Sequence, residues 1–456
     1  MMKPDSSLAD KDRAFVLHPY THLERHQKQG PMIIERGQGV FVYDDSGRGY
    51  IEALAGLWCA TLGFSEERLI EAATRQMRKL PFYHGFSHKA HPPMIELAER
   101  LIHLAPVPMS KVFFTSSGSE ANDTAIKLIW RYNNAVGRPH KKKIISRIKA
   151  YHGVTVATTS LTALPLNHRD FDAPLDRFHH TDCPHHYRFG LPGESEEAFS
   201  ARLADSLEQL ILREGPDTIA AFFAEPVMGA GGVITPPSGY FEKIQKVLQH
   251  YDVLMVVDEV ICGFGRTGAQ FGSQTFGINP DIMTLAKGLS AAYQPIAAVL
   301  ISEPIYQALE RHSEQAGPLG HGHTYSGHPV AAAVALETLN IYQERNILDH
   351  VRNVSPHFQA GLRMFADHPL VGEVRGVGLL GALELVADKT TRRSFEVDLG
   401  MGARVVASAQ EQGLILRAMG DSLAFAPPLI ISKSEIDEMF RRLRAAIDQV
   451  KPESEE

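Results

Sequence analysis

The sequence predicts an α/β fold in which a largely parallel sheet is wrapped by helices and followed by a smaller α+β unit. Three observations carry this: short apolar runs alternate with helical patterns through the middle of the chain, loop signals bound each run, and the texture changes after Pro329. The runs at 111–115, 143–148, 219–224, 254–258, 282–286 and 297–302 read as strands buried on both faces, being apolar without alternation. Helical patterns at 121–135, 198–213 and 240–250 supply the crossovers that parallel neighbours need. Beyond Pro329, a helix at 330–344, hairpin-like strands within 372–386 and 414–425, and a closing helix at 434–450 form the second unit. The expected division is an N-terminal arm with part of the small unit (1–60), a large central domain (61–328) and a small C-terminal domain (329–456).

A chain of 456 residues that is 44% hydrophobic can bury large cores. Its 46 basic and 53 acidic residues leave a net charge of -7, and no long basic stripe is present, which argues against a nucleic-acid partner. Residues 1–12 are polar without an apolar signal core, and no run of about 18 apolar residues follows, so neither export nor a membrane is expected. Cys59, Cys183 and Cys262 are odd in number and far apart, which suits a reducing, cytoplasmic setting. The polar start and the acidic end at 452–456 are expected to fray.

In an open α/β sheet, ligands bind off the carboxyl ends of the strands, so the chemistry belongs in the loops there. Ser116-Ser117-Gly118-Ser119-Glu120-Ala121-Asn122 follows one strand and opens a helix, presenting amides and hydroxyls at the positive end of a helix dipole. That is a phosphate cradle, although the same pattern also serves ordinary N-capping. Asp258 ends the apolar strand Leu254-Met255-Val256-Val257, and a buried anion there calls for a cationic partner. The protonated ring nitrogen of pyridoxal phosphate would be one. Lys287 ends the next apolar strand, where burial would lower its pKa and make its amine a nucleophile for a carbonyl.

Six stretches together resemble a class III, pyridoxal-phosphate-dependent aminotransferase of the omega-transaminase (amine:pyruvate) group. They are Phe114-Thr115-Ser116-Ser117-Gly118-Ser119-Glu120-Ala121-Asn122, Tyr151-His152-Gly153, Glu225-Pro226-Val227, Asp258-Glu259-Val260-Ile261-Cys262-Gly263-Phe264-Gly265-Arg266-Thr267-Gly268, Lys287-Gly288 and Thr324-Tyr325-Ser326-Gly327-His328-Pro329. The resemblance implies fold type I, with a mostly parallel seven-stranded sheet in the large domain and a smaller α+β domain built from both ends of the chain. It implies pyridoxal 5'-phosphate as cofactor and Lys287 and Asp258 as catalytic residues. Ser117, Gly118 and Ser119 would hold the phosphate, Tyr151 and Val260 would flank the ring, and Glu225, His152 and Ile261 would complete the cofactor site. Thr324 would reach the phosphate of a neighbouring subunit, implying a homodimer or a dimer of dimers with shared sites. No metal is implied.

The resemblance also bears on substrate. Relatives that grip an α-carboxylate carry an arginine where this chain has Ala424, and ornithine-type relatives carry a glutamate where it has Ala230. Arg417 instead matches a mobile arginine that binds a carboxylate at two points and swings away from an apolar amine. Many relatives bond the cofactor's phenolic oxygen from a glutamine at the position of Ile261. Leu57, Trp58, Phe86, Tyr151, Val154, Ala230 and Ile261 match positions that shape the amine pocket, and their apolar character favours a primary amine or ω-amino compound with pyruvate as acceptor. An aminomutase and a decarboxylating transaminase use the same scaffold. Two other classes compete. Gly263-Phe264-Gly265-Arg266-Thr267-Gly268 has the glycine pattern of a nicotinamide-dependent oxidoreductase, but no long helix opens after it and no acidic strand end follows for a ribose. His179, His180, Cys183, His185 and His186 invite zinc at spacings that match no common closed site.

Overall fold

The computed structural model describes residues 7–451, so both the first six residues and the acidic end at 452–456 lie outside it. Near the N-terminus, β1 (Ile34–Gln38), β2 (Phe41–Asp44) and β3 (Gly49–Glu52) form an antiparallel meander. The central sheet comprises β4 (Lys111–Thr115), β5 (Lys143–Arg147), β6 (Phe178–Thr181), β7 (Ile219–Ala224), β8 (Leu254–Asp258), β9 (Ile282–Leu285) and β10 (Ala297–Ile301). Toward the C-terminus come β11 (Val371–Val377), β12 (Leu380–Leu385), β13 (Leu414–Ile415), β14 (Arg417–Met419) and β15 (Ser422–Phe425).

The seven central strands lie in the order β4-β10-β9-β8-β7-β5-β6. Strand β10 runs antiparallel to both its neighbours while the remaining pairs are parallel, giving the mostly parallel α/β sheet that the sequence predicts. The reversal follows from the connection. A parallel return needs a crossover of a dozen or more residues, and the short link from β9 to β10 holds only a single 3-10 turn, Lys287–Leu289. Strand β7 is buried at every position, as expected of a strand covered on both faces. Edge strand β6 was not among the expected strands, because His179 and His180 interrupt its apolar pattern; only Phe178 and Thr181 are fully buried.

The ends of the chain make the smaller sheets. Strand β13 pairs in parallel with β3, tying residues 414–415 to the N-terminal meander, and β11-β12-β15-β14 form a separate antiparallel sheet. The polar start does not fray throughout: Ser7 and Asp10 form a capping box that nucleates a helix at Leu8–Phe15. The helix Pro329–Glu344 is buried along most of its length and packs on the helices Glu67–Lys79 and Pro92–Leu104. One hydrophobic cluster runs from Leu97 and Phe114 through Met283 and Leu339 to Phe358 and Phe440, so a continuous core joins one side of the central sheet to the C-terminal helices. Among the described residues, no helix is long and apolar enough to cross a membrane.

Candidate active site

Strands β4, β5, β7, β8 and β9 point the same way, and the residues just past their carboxyl ends surround one cavity of about 160 Å³. Its wall contains Gly118, Ser119, Asn122, Tyr151, His152, Gly153, Glu225, Asp258, Val260, Ile261, Ala286 and Lys287. Most of the expected cofactor residues are thus brought together, from five separate strand ends.

Asp258 is 4% exposed and held by three donors. Asn122 Nδ2 donates to Oδ2 at 2.7 Å, His152 Nδ1 lies 2.8 Å from the same oxygen, and the Val260 amide donates to Oδ1 at 3.1 Å. Asn122 is itself fixed, donating to the His152 carbonyl at 2.8 Å and accepting from Thr284 Oγ1 at 2.9 Å. Glu225, buried beneath, accepts from the Tyr151 and Gly229 amides, and burial holds its pKa above the ordinary 4.5. Lys287 sits with φ 47° in the turn after β9. Burial lowers its amine from 10.5, opposed by the negative charge of Asp258.

The phosphate cradle is narrower than expected. Ser117 caps the helix Gly118–Ala135, and Glu120 accepts the amides of Ser116 and Ser117 at 2.7 and 3.1 Å, so those two amides are already used. Gly118 and Ser119 remain in the first turn, where amides have no intrahelical acceptor. A side chain at Gly118 would meet the Val260 methyls at 3.1 and 3.2 Å, so the glycine keeps this corner of the cavity open. Gly153 has φ 131°, and a Cβ there would fall 2.6 Å from Ser119 Oγ; the glycine lets the 151–154 turn close onto the helix start.

Beyond Lys287 the cavity opens into a chamber of about 470 Å³ walled by Leu57, Trp58, Tyr151, Ala230, Ile261 and Arg417, as expected. Trp58 is 3% exposed and held with φ 67°, Leu57 is exposed, and Ile261 packs over Gly229. Ala424 faces the same side: it is the cross-strand partner of Arg417 in the β14-β15 pair. Same-face neighbours on adjacent strands lie side by side, so the guanidinium missing from Ala424 is supplied one strand over. Arg417 has no ion-pair partner among the described residues; its nearest aromatic neighbour is Tyr20, 6.0 Å from ring centre to guanidinium. Tyr20 was not foreseen. It comes from the N-terminal arm, accepts from Asn167 at 2.6 Å, and with burial keeps the Tyr151 phenol above its usual pKa.

Two expected pocket residues, Val154 and Phe86, lie elsewhere within this chain, and Thr324, expected to serve a neighbouring subunit, is also outside its cavity. Val154 is exposed and reaches only Ser119, through its amide. Phe86 is exposed and lines a separate groove with Lys127 and the 318–322 loop, and Thr324 stands exposed in the turn that follows. The histidine cluster is occupied by protein partners: His185 lies 2.8 Å from Glu373, and Glu373 and Glu384 are already paired with Arg375 and Arg188.

The donor set suits pyridoxal phosphate: an amine and a carboxylate at adjacent strand ends, open helix-start amides, and the Tyr151 and Val260 walls. The family pattern described as aminotransferase class-III matches residues 23–447. A gamma aminobutyrate transaminase 1, mitochondrial, from Solanum lycopersicum is 51% identical over 97% of this chain and 86% of its own length. The solved omega transaminase from Pseudomonas jessenii, in complex with PMP, is 60% identical with TM-score 0.96, covering 97% of this chain and 98% of its own. A thermostable omega transaminase variant, W58M/F86L/R417L, engineered for asymmetric synthesis of enantiopure bulky amines, is 59% identical with TM-score 0.96 over the same shares. Its three substitutions carry numbers at which this chain also has Trp58, Phe86 and Arg417. From the ordered motifs, the shared fold and these likenesses, the chain belongs to the class III aminotransferases, fold type I enzymes that move an amino group between small-molecule amines and keto acids with pyridoxal phosphate.

Proposed function

We propose that this aminotransferase takes the amino group of a primary amine or ω-amino compound and passes it to pyruvate or a similar 2-oxo acid, in two half-reactions that share one site. The observation that carries the reading is Arg417, a guanidinium without an ion-pair partner among the described residues, in a chamber with largely aromatic and aliphatic walls that opens onto Lys287. Such a residue binds a carboxylate when one is present and leaves the walls to an apolar amine when none is. The relatives named for gamma-aminobutyrate support an ω-amino donor, and the variant made for bulky amines supports Trp58, Phe86 and Arg417 as pocket residues.

Pyridoxal phosphate, when bound, supplies an aldehyde for the amine and a ring that accepts an electron pair. Asp258, oriented by Asn122, His152 and the Val260 amide, would offer its carboxylate to the protonated ring nitrogen. Nζ of Lys287, at the neighbouring strand end, would hold the cofactor. As a free amine, Nζ would take the proton from the carbon bearing the substrate's amine and later return one, and its lowered pKa keeps more of it in the free-base form that this needs. Trp58, Tyr151 and Tyr20 narrow the chamber and exclude water. A second copy of the chain completes the site, since Phe86 and Thr324 face away from this chain's own cavity; sedimentation should find a homodimer or a multiple of one.

Arg417→Ala tests the acceptor reading. The variant should raise KM for pyruvate by about tenfold or more, the cost of a lost charge-assisted pair, while the half-reaction with an uncharged amine changes far less. Equal weakening of both would overturn it.

A further inference from the structure

The chamber wall is electrostatically one-sided. Lys149, Lys287 and Arg417 all line it, and no aspartate or glutamate among the described residues does. Lys287 and Arg417 have roles in the reading above; Lys149 has none. Its ammonium has no ion pair among the described residues, and its nearest aromatic neighbour is Phe189, with Nζ 5.9 Å from the ring centre. Several other half-buried cations among the described residues are paired: Lys143 with Glu214, Lys243 with Glu197, and Arg188 with Glu384.

The backbone fixes where this lysine starts. Lys149 has φ 69°, a left-handed conformation that a residue with a side chain adopts at a cost, so the surroundings must hold it there. They do so from two sides. Its amide donates to the Ala163 carbonyl at 3.0 Å, and its own carbonyl packs so closely on Gly231 that a Cβ there would fall 2.4 Å away. Ala230 and Gly231 belong to the chamber wall, and Tyr151 follows two residues later. The lysine's backbone is therefore anchored on the chamber wall beside Gly231, with a flexible stem that lets its charge follow a bound anion.

We infer that Lys149 is a second carboxylate-binding residue, which makes the chamber selective for amine donors carrying a carboxylate several carbons from the amine, the ω-amino acids. A donor of this kind presents its amine at Lys287 and its anion to Lys149 on the chamber wall. The attraction is strengthened because the half-buried wall screens it less than bulk water would. This rests on the amine-donor side of the proposed function and deepens it; it does not depend on pyruvate as acceptor.

The test compares 4-aminobutyrate with butan-1-amine, which has the same carbon chain and no carboxylate. Each is mixed with the pyridoxal-phosphate form of the enzyme without acceptor, and the half-reaction is followed by the cofactor's absorbance. Lys149→Met should lower the ratio of second-order rate constants, 4-aminobutyrate over butan-1-amine, by about five- to tenfold. The loss should appear as weaker binding, and Lys149→Arg should restore most of the ratio. An unchanged ratio in Lys149→Met, or a wild-type enzyme inert toward 4-aminobutyrate, overturns the inference. A wild type that completes this half-reaction but cannot pass nitrogen to pyruvate overturns the acceptor reading instead and leaves Lys149 standing.

Discussion

Replacing Arg375 with methionine removes the centre of a buried charge cluster next to the chamber-lining residues Gly231 and Gly420. Its guanidinium is 2.6 Å from Glu373 Oε2 and 2.8 Å from Glu384 Oε2, and it donates to the Gly232 carbonyl at 3.0 and 2.6 Å and to Ser422 Oγ at 3.1 Å. Taking one partner from a buried pair costs about 3–5 kcal/mol, because the other charge stays behind without compensation. Here His185 remains beside Glu373 and Arg188 beside Glu384, which places the expected loss near the lower end, about 3 kcal/mol. The pH dependence has a definite sign. Burial pushes Glu384 upward, but Arg375, Ser422 and Arg188 together hold it at about 2, below its ordinary 4.5. A carboxylate so depressed stabilises the fold fully above pH 4.5, and that contribution is lost as pH falls toward 2. Without Arg375 its folded pKa rises, so there is less to lose, and the gap between variant and wild type should narrow on acidification. Urea midpoints read by tryptophan fluorescence, at fixed protein concentration from about pH 7 to about pH 3, measure this. Arg375→Met with Glu384→Leu should recover part of the loss. A single variant within about 0.5 kcal/mol of wild type, or a gap that widens in acid, would refute the reasoning.

Asn122→Ala removes the 2.7 Å donor to Asp258 and leaves the His152 carbonyl and the Thr284 hydroxyl unpaired. It should lower kcat/KM by about 10- to 100-fold with the fold retained, the range for a hydrogen bond to a charge; unchanged kinetics would remove Asn122 from the positioning of Asp258. Glu52 is buried beside the strained turn that holds Trp58, and burial raises its pKa from 4.5 to about 7. A carboxyl that binds its proton more tightly when folded makes stability fall as pH rises from 4.5 to about 7. Glu52→Gln should flatten that part of the stability profile, and an identical slope in the variant would count against the assignment.

The central sheet was legible because its strands are buried on both faces, so 219–224 and 254–258 stand out as apolar runs with no competing pattern. The candidate catalytic pair was legible for a related reason: Asp258 and Lys287 are charges at the ends of such runs, where a dry element brings them to the cavity. Strand β6 was hidden by paired histidines at a sheet edge. The β1-β2-β3 meander was hidden because β1 is largely exposed and carries no buried face. Asn122 lay within a quoted motif, but nothing in an isolated Asn says that it will reach across to Asp258, 136 residues later. Tyr20 and Lys149 were out of reach for the same reason. Their place in the chamber depends on tertiary neighbours, Asn167 for one and Ala163 with Gly231 for the other. Phe86 and Thr324 show the reverse case, where the resemblance assigns a role that one chain alone does not display.

The central claim is that Lys287 is the residue joined to the cofactor. Reducing the holoenzyme with borohydride, digesting it and locating the pyridoxyl-phosphate mass by peptide sequencing tests this directly. The account predicts the added mass on Lys287 alone, and its loss in Lys287→Ala; an adduct on Lys149, the other lysine of the chamber, or none at all, would contradict it.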